Sequence, residues 1–236
     1  MAKPKSTLKK ISALVVILFV PGFLFITINK TGSNSYLSLP VFGGQYIPSQ
    51  EEKQASENVD KSEAHKIDEI SFDNLEGKPI RLFSNDTSVY ALHFFYKNDK
   101  HFSRDNLAQA KDLSEKFVRN KKIKVISISV DARDTPEELK AFTTPLSPEK
   151  HENWEVVTAP SKDIFEFAKK ELFIDVFPSP NDEDGFFIEN VFLLIDSQHR
   201  IRGIYKGEQK TEFERLVDEV KVLVIEEHRN QENRKS

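Results

Sequence analysis

The sequence predicts an α/β domain, a mixed β-sheet flanked by helices with an N-terminal β-hairpin, preceded by one transmembrane helix. Three observations carry this reading. Strand-length apolar runs alternate with segments of helical period between residues 64 and 228. A pair of short strands around a turn opens that region, and a second pair precedes its last helix. An uncharged apolar run lies near the N-terminus.

That run, Ile11 to Ile28, reads ISALVVILFVPGFLFITI. As a helix rising ~1.5 Å per residue it measures ~27 Å, enough to cross a hydrocarbon core roughly 30 Å thick. Pro21-Gly22 would kink it, which membrane spans tolerate. Lys3, Lys5, Lys9 and Lys10 precede the run and only Lys30 follows closely. The positive-inside bias then leaves residues 1–10 cytoplasmic and sends the rest outward. The expected setting is single-pass in a bacterial-type inner membrane, with the C-terminal domain periplasmic. A cleaved signal peptide is the competing reading. The run exceeds a usual signal core, and no small-x-small cleavage site follows it. With no cysteine in the chain, a lipid-modified N-terminal cysteine is excluded.

Residues 29–63 read as a tether, because SQEEKQASENVDKSEA is polar and charged. The patch Tyr36-Leu-Ser-Leu-Pro-Val-Phe-Gly-Gly44 interrupts it. This patch either docks on the domain as an extended segment or serves as a spacer beside the membrane.

The domain proper is expected over 64–228, with a polar tail over 229–236. Ile67–Phe72 and Pro79–Phe83 flank Asn74-Leu-Glu-Gly77, a hairpin turn. Val89–Tyr96 is nearly continuous in apolar residues, as a strand covered on both faces should be. Leu107, Ala110, Leu113 and Phe117 recur at helical spacing over 103–119. Val125–Val130 is the next strand. Thr135-Pro136 with Glu138 signals a helix start, by a capping box and a proline in the first turn. Glu155–Val157 forms a short strand after Trp154. Ser161 is expected to cap a helix bearing Ile164, Phe165, Ala168 and Leu172. Val191–Asp196 and Arg202–Tyr205 form a hairpin about SQHR. A last helix over 211–228 buries Phe213, Leu216, Val217, Val220 and Val224. This order matches the thioredoxin-like plan with an added N-terminal hairpin and one extra strand–helix unit.

The chain holds 34 Lys and Arg against 38 Asp and Glu. Five of the lysines lie in the first 30 residues, which contain no acid, so the exported part is more acidic than the overall −4. An acidic exported domain argues against nucleic-acid binding. The chain lacks G-x-S-x-G, H-E-x-x-H, P-loop and G-x-G-x-x-G patterns. Without cysteine it has no thiol nucleophile, so no enzymatic activity is expected.

Several stretches occur in a telling order: Phe72-Asp-Asn-Leu-Glu-Gly-Lys78, Leu92-His-Phe-Phe-Tyr96, Ser129-Val-Asp-Ala-Arg-Asp-Thr-Pro-Glu-Glu-Leu-Lys-Ala-Phe142, Asn153-Trp154, Phe192-Leu-Leu-Ile-Asp196 and Arg200-Ile-Arg-Gly-Ile-Tyr205. Together with the apolar run and Leu39-Pro-Val-Phe-Gly43, they resemble the Sco/SenC family over about residues 36–225. That family comprises membrane-anchored thioredoxin-like proteins that bind copper and assist maturation of cytochrome c oxidase.

In the family, C-x-x-x-C follows the central strand, and a histidine stands just before the later L-I-D strand. Two thiolates and the imidazole hold copper, soft sulfur suiting Cu(I) and nitrogen extending the site to Cu(II). Here Phe94-Phe-Tyr-Lys-Asn-Asp-Lys-His-Phe-Ser-Arg-Asp105 places Asp99 and Ser103 at the cysteine positions. Counting back eight residues from Asp196 places Ile188 at the histidine position. A gap within Asn181–Gly185 would move that last match, but no histidine lies between His151 and His199. Carboxylate and hydroxyl replace thiolate neither for Cu(I) nor for disulfide exchange. The resemblance therefore implies a non-catalytic binding or assembly factor that has lost the copper and redox site. No metal or cofactor is expected, and the partners are the membrane and a membrane or periplasmic protein. The alternative is a metallochaperone or redox protein with replacement ligands, such as Asp99, His101 and His93, or a partner's cysteines. Two further clusters read as structural: the acidic Asp182-Glu-Asp184 as a solvated turn, and Asp131, Arg133 and Asp134 as a turn-and-cap network before the Thr135 helix. On the same reading His93 faces the packed sheet, His101 lies on a solvated loop, and Ile188 is at least partly buried.

Overall fold

Val89–Phe95 forms β3, and all seven of its residues are buried. The computed structural model describes residues 38–42, 65–84, 87–146, 152–158, 163–179 and 185–233. β3 lies inside a seven-stranded sheet. On one side β4 (Ile123–Ser129) and then β5 (Trp154–Thr158) run parallel to it. On the other, β8 (Val191–Ile195) and β9 (Ile201–Lys206) are antiparallel. The hairpin β1 (Ile70–Asn74) and β2 (Pro79–Leu82) extends the sheet beyond β5, giving the order β2-β1-β5-β4-β3-β8-β9.

The parallel pairs require crossovers, which helices α1 (Ser103–Phe117) and α2 (Pro136–Thr143) provide. Leu107, Ala110 and Leu113 of α1 join Leu216, Val220 and Leu223 of α4 (Lys210–Asn233) over Ala91, Phe95 and Val125 on one face. Ile164, Phe167 and Ala168 of α3 (Asp163–Lys170) pack with Tyr90, Leu92 and Phe94 on the other. The segment β3-α1-β4 with β8-β9-α4, in strand order β4-β3-β8-β9, is the thioredoxin-like core expected from the sequence.

Local signals act as anticipated. Gly77 adopts φ +68° in the first hairpin turn, which its missing side chain permits. Asn74 Oδ1 there accepts from the amides of Glu76 and Lys78, both at 3.0 Å. Thr135 Oγ1 accepts from the Glu138 amide at 3.3 Å, and the Glu138 carboxylate accepts from the Thr135 amide at 3.2 Å, completing the capping box.

Two differences stand out, and one open alternative is decided. A two-stranded hairpin, β6 (Val176–Pro178) with β7 (Phe186–Ile188), lies where no strand was expected. Helix α4 continues to Asn233, beyond the last apolar position of its pattern. The patch around Leu39 docks on the body: Leu39, Val41 and Phe42 are buried, and the Phe42 amide donates to the Ile201 carbonyl at 3.0 Å. The expected span over 11–28, the rest of the tether, the Ser161 cap and the acidic run 182–184 lie outside the described residues. Among the described residues no helix is long and apolar enough to cross a membrane.

Candidate functional site

The carboxyl ends of β3 and β4 point into one region, the usual place for a site in a sheet with parallel strands. The turn after β3 carries residues 97–102, and α1 begins at Ser103. That helix start lacks an ordinary cap, because Phe102 at the capping position offers no side-chain acceptor. Its first amides would be orphans. Asp99 takes them instead: Oδ2 accepts from the amides of Phe102 at 2.9 Å and Ser103 at 2.7 Å, and Oδ1 from His101 at 3.0 Å. Partial burial pushes the Asp99 carboxyl upward, but the three amides and the Ser103 hydroxyl outweigh it and hold the group below the usual carboxylate range. Ser103 is fully buried, and its hydroxyl oxygen accepts from the Tyr96 amide at 3.1 Å. Asp99 and Ser103, the residues expected at the family's cysteine positions, thus form one hydrogen-bonded unit that closes the turn and starts α1.

Ile188, the residue expected at the family's histidine position, ends β7 and is buried in the apolar core that also contains Tyr96. Two residues earlier, Phe186 meets the Tyr96 ring edge-on at 5.0 Å. The β6–β7 hairpin therefore seats on the turn through aromatic packing. Asp99 is a carboxylate that already accepts from three amides, Ser103 a buried hydroxyl that accepts from one, and Ile188 offers no donor atom, a set that does not suit Cu(I), which favours thiolate.

The other proposed replacement ligands are kept apart. His101 is exposed. His93 is fully buried within β3, with its Nε2 2.7 Å from Ser127 Oγ and its Nδ1 3.3 Å from the Phe94 carbonyl. Trp154 Nε1 donates to the same Ser127 oxygen at 3.0 Å. A carbonyl only accepts, so Nδ1 carries the proton. The serine, already accepting from the indole, donates its own proton to Nε2. Every polar atom of the chain Trp154–Ser127–His93–Phe94 is satisfied, and burial drives the His93 pKa down to about 3 despite the carbonyl contact. Among the described residues no three His, Asp or Glu side chains gather as a metal site.

A polar cleft of about 270 Å³ opens beside the turn, lined by Tyr96, Lys97, Asn98, Asp131, Arg133, Asp134 and Glu138. Lys97 donates to Asp134 at 2.9 Å and Glu138 at 3.3 Å, and the Asp134 contact chiefly holds the ammonium above its ordinary value. Ser129 donates to the other Asp134 oxygen at 2.6 Å. Burial pushes the Asp131 carboxyl up, but two bonds from the Arg133 guanidinium, at 2.8 and 2.9 Å, and one from the Arg133 amide bring it below its usual range. The turn-and-cap network expected around Asp131 and Asp134 is present. Its link to Lys97, across 37 residues of sequence from Asp134, was not legible in advance.

The family model for SCO1/SenC matches residues 59–224. The chain belongs to the SCO1/SenC family. A SCO1 protein homolog of Bacillus subtilis strain 168 is 29% identical over 162 residues, covering 66% of this chain and 82% of the homolog. The crystal structure of a SCO1/SenC family lipoprotein from Bacillus anthracis str. Ames superposes with a TM-score of 0.61 at 26% identity, covering 68% of this chain and 95% of that one. BsSco, a member of the Sco family of cytochrome c oxidase assembly proteins in which a disulfide switch has been identified, gives 0.57 at 27% identity, with coverages of 66% and 92%. A disulfide switch needs cysteine, and this family member has none.

Proposed function

We propose that this chain is a membrane-anchored SCO1/SenC-family binding or assembly factor, tied to maturation of a respiratory oxidase, in which hydrogen bonding and packing have replaced the copper and redox site. The observation that carries the reading is the state of Asp99 and Ser103. Their side chains are committed to the backbone of the turn and the start of α1, and no thiol exists anywhere in the chain. The family frame supports the oxidase link. The lysine-flanked apolar run at 11–28 supports the anchor, with the domain on the periplasmic side. The activity is then one of surface contact with a membrane or periplasmic protein, rather than catalysis or metal delivery.

Titration of the purified full-length chain in detergent with Cu(I), against a competing chelator, tests this. The expected outcome is no sub-micromolar binding. Stoichiometric sub-micromolar copper, lost in Asp99→Ala or His101→Ala, would establish replacement ligands instead. Co-purification from native membranes is expected to recover oxidase subunits or their assembly partners in a copper-independent manner.

A further inference from the structure

The β6–β7 hairpin turns one face to the core and one to solvent. Val176 and Ile188 are buried on the inner face, where Phe186 meets Tyr96 edge-on and lies 5.9 Å from Phe165 of α3. By the alternation of side chains along a strand, Phe177 and Phe187 stand on the outer face. They sit opposite each other in register, and their rings stack at 4.8 Å with 15° between planes. Phe177 is 42% exposed and Phe187 48%, whereas every other phenylalanine among the described residues is buried or half-buried. This protein packs its phenylalanines inside, and this pair faces water.

The alternation continues one residue past each strand, which places Asp175 on the side of Phe177 and Glu189 on the side of Phe187. The two backbones are still joined there. The Glu189 amide donates to the Asp175 carbonyl at 2.9 Å, and the Asp175 amide to Glu189 Oε2 at 3.1 Å. Like charges set opposite each other across a hairpin are unfavourable without a counter-charge. Among the described residues neither carboxylate is in an ion pair. The exposed Lys169 and Lys170 belong to α3, which packs against the inner face through Phe165, and Lys170 is engaged by Glu166 at 2.6 Å.

The rings gain from an apolar cover and the carboxylates from a cation. Arginine supplies both, since its planar guanidinium lies flat on a phenyl face while its N–H fork reaches a carboxylate. An anionic lipid headgroup would meet carboxylates of its own sign, and a second copy laid face to face would oppose like charges. We infer that the outer face of the β6–β7 hairpin is a docking surface for a protein segment in which arginine stands beside apolar side chains. Phe177 and Phe187 take the apolar groups, and Asp175 and Glu189 the guanidinium. The use of this surface by a partner rests on the contact role proposed above; its chemistry does not.

Fluorescence anisotropy of two labelled peptides, titrated with the full chain in a neutral detergent, tests the chemistry. One peptide alternates leucine with arginine, the other leucine with glutamate. The parent chain is expected to bind the arginine peptide roughly tenfold or more tightly than the glutamate peptide. Phe177→Ser with Phe187→Ser should weaken that binding roughly tenfold or more. Asp175→Lys with Glu189→Gln should reverse the order of the two peptides, the glutamine keeping an acceptor for the neighbouring amide. No preference in the parent, a preference that survives the charge change, or an affinity unchanged without the phenylalanines would overturn the proposal. So would self-association of the parent that disappears with the phenylalanines, which assigns the face to a second copy. Monomeric short-chain phosphatidylglycerol bound more tightly than the arginine peptide would assign it to lipid and overturn it too. In co-purification from native membranes, the Phe177→Ser, Phe187→Ser variant is expected to lose the oxidase subunits that the parent recovers. Equal recovery by both would overturn the use of this surface and leave the contact role standing. No recovery by the parent, with the peptide preference intact, would overturn the contact role and leave the surface.

Discussion

The buried imidazole of His93 makes folding stability depend on pH, with a sign and size that the structure fixes. Unfolded, this histidine titrates near ~6.5. Folded, burial in β3 lowers its pKa to about 3. Between these values the unfolded chain binds a proton that the folded chain refuses, so stability rises with pH across that window. The contribution is complete above pH ~6.5 and is lost as pH falls toward the folded value. One proton difference corresponds to about 1.4 kcal/mol per pH unit, so acidification from pH 7 to 4 removes about 3 kcal/mol. That is a large share of the ~5–15 kcal/mol typical of a domain. The groups held below their ordinary values, Asp99 and Asp131, act in a lower window, contributing above the unfolded carboxylate value near ~4 and losing that contribution below it. The single tryptophan, Trp154, is buried and hydrogen-bonded within the His93 chain, so its fluorescence reports unfolding locally. Denaturant unfolding of the full chain in detergent should give a free energy that falls between pH 6 and 4 more steeply in the parent than in His93→Gln, by about one proton's worth. Parallel pH curves for the two proteins, or a folded-state His93 titrating near 6.5 by NMR, would refute the argument.

Four other outcomes follow from named contacts. Asp99→Ala strips the acceptor from three amides at the start of α1 and should cost about 1–2 kcal/mol, with faster exchange at Phe102 and Ser103. The combined change Asp99→Cys, Ser103→Cys and Ile188→His should confer copper binding measurable by metal analysis, and its absence would argue against the alignment of those positions. Arg202→Met leaves Asp196 and Glu226 buried without their shared cation, and a loss of about 3–5 kcal/mol is expected in denaturant unfolding. Gly203→Ala puts a Cβ into the Tyr205 hydroxyl, which is held by Glu219 at 2.6 Å, so the ring must move and a cost of about 1–3 kcal/mol should appear in thermal unfolding.

How far the sequence could be read depended on the range of the interaction involved. β3 was legible because seven buried residues in a row leave no polar face to confuse the period. The capping box of α2 was legible because both of its bonds close within three residues. The β6–β7 hairpin was not: each strand has three residues, too few to show alternation, and the first ends in a proline. The segment around Leu39 could be posed only as a choice between docking and spacing, because Arg202 decides it from 163 residues away. In the linear pattern that arginine is one charged residue in an edge strand. Its burial becomes visible only when Glu226, Asp196 and the carbonyls of Leu39 and Pro40 converge on it.

The site shows the same division in sharper form. The resemblance to the family implies that Asp99 and Ser103 stand at the two cysteine positions, and so treats them as two separate substitutions. In the fold they are donor and acceptor to each other's segment, with the Ser103 amide on the Asp99 carboxylate and the Tyr96 amide on the Ser103 hydroxyl. The turn is closed by hydrogen bonds to its own backbone. Without them, α1 would start with unsatisfied amides beside a buried hydroxyl, and the turn that forms one wall of the Lys97–Asp134 cleft would lose its support. The frame of this turn therefore rests on the chain's own side chains and amides. The turn, the cleft beside it and the aromatic contact between Tyr96 and Phe186 therefore form one connected surface held by the protein's own groups.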